Sequence, residues 1–200
     1  MGTRILILTL LLTILVGCSK SKYYYTFSAP KKKMCKGFVI GIINDNPKFF
    51  GWGRMLTNIL EVDLLNAGYE IKDFSLARNF FTTEEKMIYF YRPQDVYSKE
   101  FLERIGGLLN TDWIMGGRIL KIVQRGDYVE VEVMFWIRSA KTGKLLWLAY
   151  YKKDSNSYRS IFHFGKITNI GKLFDVMIKK DVIKDIKKVI KCSEKVSSKK

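Results

Sequence analysis

The sequence predicts an α/β fold: a single domain with a mixed four- to five-stranded sheet, a C-terminal β-meander and three packed helices, the last long and amphipathic. Three observations predict it. Phe38-Val39-Ile40-Gly41-Ile42-Ile43 is a continuous apolar run suited to a buried strand. Val129, Val131, Val133, Phe135 and Ile137 alternate with Glu130, Glu132, Met134 and Trp136, the period of two that marks a half-buried strand. Val176, Met177, Ile183, Ile186 and Ile190 return at three- and four-residue steps, with Lys180, Lys184, Lys187, Lys188 and Lys191 largely on the other faces.

Taken in order, residues 1–17 form an export signal, 18–36 a basic tether, 37–192 the folded domain and 193–200 a disordered tail. The tether mixes Lys, Ser and Tyr with Pro30 and sustains no apolar period. After the first strand, Asn44-Asp45-Asn46-Pro47 breaks the chain. A helix over about 53–67 carries a wide apolar face of Met55, Leu56, Ile59, Leu60 and Leu64, and Gly68 stands where a left-handed cap ends helices. Tyr69 to Phe74 is a second strand. Residues 75–98 carry Phe80, Phe81, Tyr89, Phe90 and Tyr91, interrupted by Thr82 to Lys86 and by Arg92-Pro93. A helix from Ser98 to about Leu109 contains Gly106-Gly107, an unexpected weak point. Strands over 112–123, 129–137 and 145–152 follow, turned at Arg125-Gly126-Asp127 and at Lys141-Thr142-Gly143-Lys144. The closing helix covers 167–191.

Arg4 precedes an uncharged apolar run, Ile5 to Val16, of 12 residues. As a helix such a run reaches about 18 Å, short of the roughly 30 Å hydrocarbon core of a bilayer. It therefore reads as a cleaved signal. Leu15-Val16-Gly17-Cys18 resembles the lipobox of bacterial lipoproteins, with Gly17 before the cut and Cys18 the lipid-bearing first residue of the mature chain. The alternative is an ordinary secretory signal with a chance cysteine. The resemblance implies a protein fixed to a membrane by two or three acyl chains, which hold stably where one holds marginally. Ser19, where Asp marks inner-membrane retention in enteric-type sorting, resembles an outer-membrane lipoprotein facing the periplasm.

Cleavage leaves 183 residues, enough for one domain with a sizeable core. Of 35 basic residues Arg4 is lost, so 34 face 19 acidic ones, a surplus of 15. Such a surplus signals polyanion attraction or simply solubility. Export makes nucleic acid an improbable partner and leaves lipid phosphates, polysaccharide and acidic proteins; a lysine-rich proteome is the plainer explanation. With Cys18 lipidated, Cys35 and Cys192 remain in an oxidising compartment, one before the first strand and one after the last helix. A disulfide between them would close the domain, at about 5 kcal/mol on the chain-entropy model. The alternative is two free thiols in flexible tails.

Catalytic constellations are missing from the sequence. The single histidine, His163, sits among Ile161, Phe162 and Phe164 with no marked nucleophile or orienting carboxylate. No zinc, EF-hand or Walker spacing occurs, so no metal or cofactor is expected. Gly51-Trp52-Gly53 with Asp73 faintly echoes a dinucleotide-binding turn, but Leu56 occupies the place of the third glycine. Glu61, Asp63, Glu84, Glu85 and Glu103 fall in surface-like patterns, not in a glycosidase pair.

Two segments carry a family resemblance. Thr111-Asp112-Trp113-Ile114-Met115-Gly116-Gly117-Arg118-Ile119 resembles the "ADYLLxGxI" strand of a group of envelope lipoproteins. Arg138-Ser139-Ala140-Lys141-Thr142-Gly143-Lys144-Leu145-Leu146-Trp147 is similar to that group's "xDxxTGxxxW" hairpin turn. The group comprises the curli-secretion-channel (CsgG-like) and penicillin-binding-protein-activator (LpoB-like) lipoproteins, which share a TolB-N-terminal-like domain. The resemblance implies a non-enzymatic, lipid-anchored accessory protein that binds other envelope proteins. Exposed aromatic clusters mark interfaces, which places aromatics of 78–91 and 147–151 in its binding surface; a core role for them is the equal alternative. A second reading is an oligomeric channel subunit. Membrane-crossing hairpin strands need ~9–11 residues with an apolar band, and Glu84, Glu85, Lys86 and Pro93 spoil that alternation in residues 78–98. A third is a cell-wall hydrolase.

Overall fold

The computed structural model describes residues 22–26, 35–44, 46–72, 98–159 and 165–191. Its strands are β1 (Lys22–Thr26), β2 (Lys36–Asn44), β3 (Glu70–Lys72), β4 (Trp113–Arg125), β5 (Tyr128–Ser139) and β6 (Leu145–Asp154). Helices α1 (Trp52–Asn66) and α2 (Lys99–Leu109) alternate with the early strands. The last helix, α3, runs over 170–189 and is α-helical at Ile170–Met177 and Ile183–Val189, with a π-helical turn at Ile178–Val182 between them.

The strands form one mixed sheet in the order β1-β6-β5-β4-β2-β3. β2 runs parallel to β3 and β4, while β4, β5, β6 and β1 are successively antiparallel. Five of these strands belong to the expected domain. The sixth lies within the segment read as a tether: Lys22–Thr26 pairs with β6 from Lys22↔Tyr151 to Thr26↔Trp147. An unpaired β6 would leave a long open edge, a surface on which other chains pair, and β1 covers part of it.

Two apolar clusters occupy opposite faces of the sheet. On one face, Val39, Val129, Val131, Val133, Phe135, Trp147 and Tyr151 meet Leu56, Leu60 and Leu64 of α1 and Leu173, Phe174, Met177, Ile178, Val182 and Ile186 of α3. On the other, Phe38, Ile40, Ile114 and Trp136 meet Phe101, Leu102, Ile105 and Leu109 of α2. Among the described residues the result is three layers, with α2 on the second face. Each fully buried side chain of this size contributes about 1.5–3 kcal/mol of burial energy.

Local chemistry sets the boundaries. The Ser98 hydroxyl accepts the Phe101 N–H at 3.2 Å and the Asn169 side chain accepts the Lys172 N–H at 3.0 Å, capping α2 and α3. Gly68 has φ +91°, and its neighbour Tyr69 returns its N–H to the Leu64 carbonyl, which ends α1 as expected. The expected weak point at Gly106 has a different meaning. A Cβ there would stand 2.6 Å from the Ala140 Cβ and 2.9 Å from its carbonyl oxygen. Glycine lets α2 settle directly on the turn after β5.

Candidate functional site

Three features lie at one end of the sheet. A single row of paired residues runs across it: Asn44, Ile119, Val133, Tyr151, Lys22. Beyond this row β4 and β5 continue as a hairpin to the Gly126–Asp127 turn, and β6 continues to Asp154.

The first feature is the loop after β2. The Asn44 side-chain amide donates to the Phe49 carbonyl at 2.7 Å, and the Asn46 N–H donates back to Asn44 Oδ1 at 3.2 Å. This holds Phe50 outward, 95% exposed. In β4, the register slips between Ile119 and Lys121, which leaves Leu120 as the bulged residue, half exposed. Asn44, Asn46, Arg118, Leu120 and Lys121 thereby line a shallow cleft of about 380 Å³.

The second is a charge ladder on the hairpin. Lys121 bridges Glu130 at 2.6 Å and Glu132 at 3.7 Å, and Lys152 bridges Glu132 at 3.0 Å and Glu130 at 3.7 Å. Tyr128 donates to Glu130 at 2.6 Å and Tyr150 to Glu132 at 2.8 Å. Hydrogen bonds from Lys121 and Tyr128 pull the Glu130 carboxyl down to about 2. Glu132 is lowered as well, chiefly by the Tyr150 hydroxyl. Burial, followed by the bond to Glu132, pushes the Tyr150 hydroxyl up to about 12, and the bond to Glu130 does the same for Tyr128. With the carboxyls lowered and the phenols raised, Glu130 and Glu132 stay ionised and Tyr128 and Tyr150 stay protonated near neutrality, and the ladder cross-links β4, β5 and β6.

The third joins the sheet to the π-turn. Asp181 accepts the Tyr158 hydroxyl at 2.5 Å and the Lys153 ammonium at 2.8 Å. Lys153 is buried, and its ammonium lies 5.2 Å from the Tyr158 ring centroid. One turn on, Asp185 accepts the buried Tyr151 hydroxyl. Insertion of a π-turn changes which residues of a helix face the sheet, and π-turns concentrate at functional positions.

The residues singled out from sequence fare unevenly. Gly17, Cys18, Cys192, His163, Asp73, Glu84, Glu85 and the aromatics of 78–91 lie outside the described residues. Cys35 directly precedes β2, and its carbonyl accepts the Glu70 N–H at 3.1 Å. Asp63 is not a surface acid: it is 6% exposed between α1 and α3, where burial raises its carboxyl. Trp147 and Tyr151 are each 1% exposed and belong to the core, which decides for the core alternative at these two positions and against a binding surface. The two glycines of the dinucleotide-like turn serve the fold: a Cβ on Gly53 would stand 2.2 Å from the Ile42 carbonyl oxygen, and Gly51 takes φ +87° where the chain enters α1.

The two segments that carried the family resemblance hold the fold together. The Asp112 N–H donates to the Lys36 carbonyl at 2.8 Å, and the Ala140 N–H donates to the Asp112 carbonyl at 3.0 Å. Gly143 has φ +64°, and its carbonyl accepts the Arg138 guanidinium at 3.0 Å. Sequence reasoning missed β1, the exposed Phe50, the Leu120 bulge and the π-turn. Only β1 left a signal, the run Tyr23-Tyr24-Tyr25, since aromatics favour strands.

Among the described residues no helix is long and apolar enough to cross a membrane, and no group of His, Cys, Asp and Glu is arranged to hold a metal. No protein-family model matches the chain, and no curated protein matches it. Several solved structures are similar to it. A PelC dodecamer from Paraburkholderia phytofirmans is 13% identical, covers 80% of this chain and 94% of its own, and gives a TM-score of 0.48. Lipoprotein GNA1162 from Neisseria meningitidis is 16% identical over 76% of this chain and 96% of its own, with a TM-score of 0.47. The LpoB C-terminal domain from Salmonella enterica is 13% identical over 62% and 87%, with a TM-score of 0.44. Likenesses this remote carry neither a partner nor an activity over to this chain.

Proposed function

We propose that this protein is a lipid-anchored accessory protein of a bacterial envelope, without enzymatic activity, which acts by binding other envelope proteins. The observation that carries the reading is Leu15-Val16-Gly17-Cys18 at the end of a charge-free apolar run. Cleavage before Cys18 leaves a cysteine that takes acyl chains and stays at the membrane. Ser19 directs the mature protein to the outer membrane, with the domain in the periplasm. Protein binding is supported by apolar side chains turned to solvent. Phe50 is 95% exposed, and Met55, Val62 and Leu65 of α1 are 42%, 55% and 53% exposed. At 100° per residue the three helix positions share one side of α1.

Labelled palmitate supplied to growing cells tests the anchor: it enters the parent chain and not the Cys18→Ala variant, which leaves the membrane fraction. A Cys18→Ala form that matures and fractionates like the parent overturns the reading. A photo-reactive residue at Val62 tests the binding role in the same cells. It captures a defined envelope protein, and one at Lys184 on the lysine face of α3 does not.

A further inference from the structure

Cys18 and the first residue of β1 are separated by four residue steps, which extend to at most about 14 Å. Lys22 is already paired with Tyr151, and four further register pairs follow along β6. The chain therefore enters the sheet almost at once, and it enters at one corner. The paired row from Lys22 reaches Asn44 across four strand spacings, roughly 19 Å. The opposite corner, where β3 pairs with Lys36–Phe38, lies one further strand away and six or more residues down the strands. That is roughly 30 Å from Lys22, well beyond the reach of the tether.

We infer that the domain is held against the bilayer in one orientation, with the Lys22 corner facing anionic lipid headgroups; this rests on lipidation at Cys18. The corner comprises the β1–β6 edge, the β4–β5 hairpin and the turn after β6. Its exposed side chains include Arg125 at the hairpin tip and Arg159 and Lys166 beyond β6. The Arg159 N–H donates to the Asn156 carbonyl at 3.1 Å, and the Ile167 N–H donates to the Ser155 carbonyl at 3.1 Å, which ties both cations to the end of β6. Each basic side chain near an anionic surface adds about 1 kcal/mol of attraction. Asp127 is exposed at the same hairpin tip and opposes part of it. The far end carries the turn over residues 140–144 and the exposed Leu108 of α2, and it is left facing the aqueous compartment.

The test uses the full lipidated chain in vesicles of phosphatidylethanolamine and phosphatidylglycerol. A photo-reactive residue is placed at Arg125 or Arg159, and in separate samples at Leu108 or Lys141. Lipid adducts form severalfold more at 125 and 159 than at 108 and 141. Inserting about ten Gly/Ser residues between Ser19 and Lys20 brings the tether to roughly 20 Å of root-mean-square reach and narrows that difference. Even labelling at both ends, or more at 108 and 141, from a chain whose mass shows acylated Cys18 overturns the orientation and leaves the anchor standing. A chain whose Cys18 carries no acyl mass overturns both.

Discussion

The Tyr151 hydroxyl donates to Asp185 Oδ2 at 2.7 Å inside the core, with Tyr151 1% exposed and Asp185 4% exposed. It fastens the centre of β6 to α3 just past the π-turn. Burial and the Asp185 carboxylate both push the phenol far above its usual range, so the proton stays on the tyrosine. Lys188 adds a 3.1 Å contact to the same carboxylate from the surface.

Removing that hydroxyl strips a buried, charged acceptor of a donor. Tyr151→Phe costs about 2 kcal/mol in urea denaturation, the range for a hydrogen bond to a charged group. Asp185→Asn keeps an acceptor for the tyrosine and costs less. Equal stability of Tyr151→Phe and parent would show the bond to be dispensable.

Adjacent glycines in α2 respond in opposite directions. Gly106→Ala drives a methyl group into Ala140 and destabilises by about 1–3 kcal/mol. A methyl group added to Gly107 meets nothing within 4 Å, so Gly107→Ala gains up to about 1 kcal/mol from helix propensity. Thermal melts of the two variants check the sign of each.

Acid exposes the ladder on the hairpin. Glu130 ionises at about 2 in the fold, below its ordinary 4.5. Its contribution is therefore complete above pH 4.5 and is lost as pH falls towards 2. Glu130→Gln removes that part of the acid sensitivity. The lysines are partly exposed, so the cost at neutral pH stays near about 0.5–1 kcal/mol. Denaturation midpoints of parent and variant, compared at neutral and acid pH, converge in acid.

We propose that Cys35 pairs with Cys192. Tyr69 supports this: its hydroxyl donates to the Ile190 carbonyl at 3.0 Å, and the next residue, Glu70, donates its N–H to the Cys35 carbonyl. The end of α3 and the entry to β2 thus both bond to one two-residue segment. Digestion without reductant yields a single peptide pair containing both cysteines. Alkylation of both without reductant overturns the pairing.

Much of the architecture followed from sequence because the forces involved are local and periodic. The alternation from Val129 to Ile137 is a property of a pleated strand half in and half out of a core. It returned as β5, with its valines on the α1/α3 face and Trp136 under α2. Gly68 ended α1 because only a residue without a Cβ turns left-handed cheaply. The proposed export signal and lipidation site likewise rest on consecutive residues, Leu15-Val16-Gly17-Cys18. Tertiary structure alone decided what depends on residues far apart in the chain. Gly106 looked like a flaw until Ala140 arrived beside it, and Lys22–Thr26 became a strand only because β6 offered an edge. Burial of Trp147, Tyr151 and Asp63 has the same origin, since exposure is set by what packs on top and one segment's pattern does not contain its neighbours.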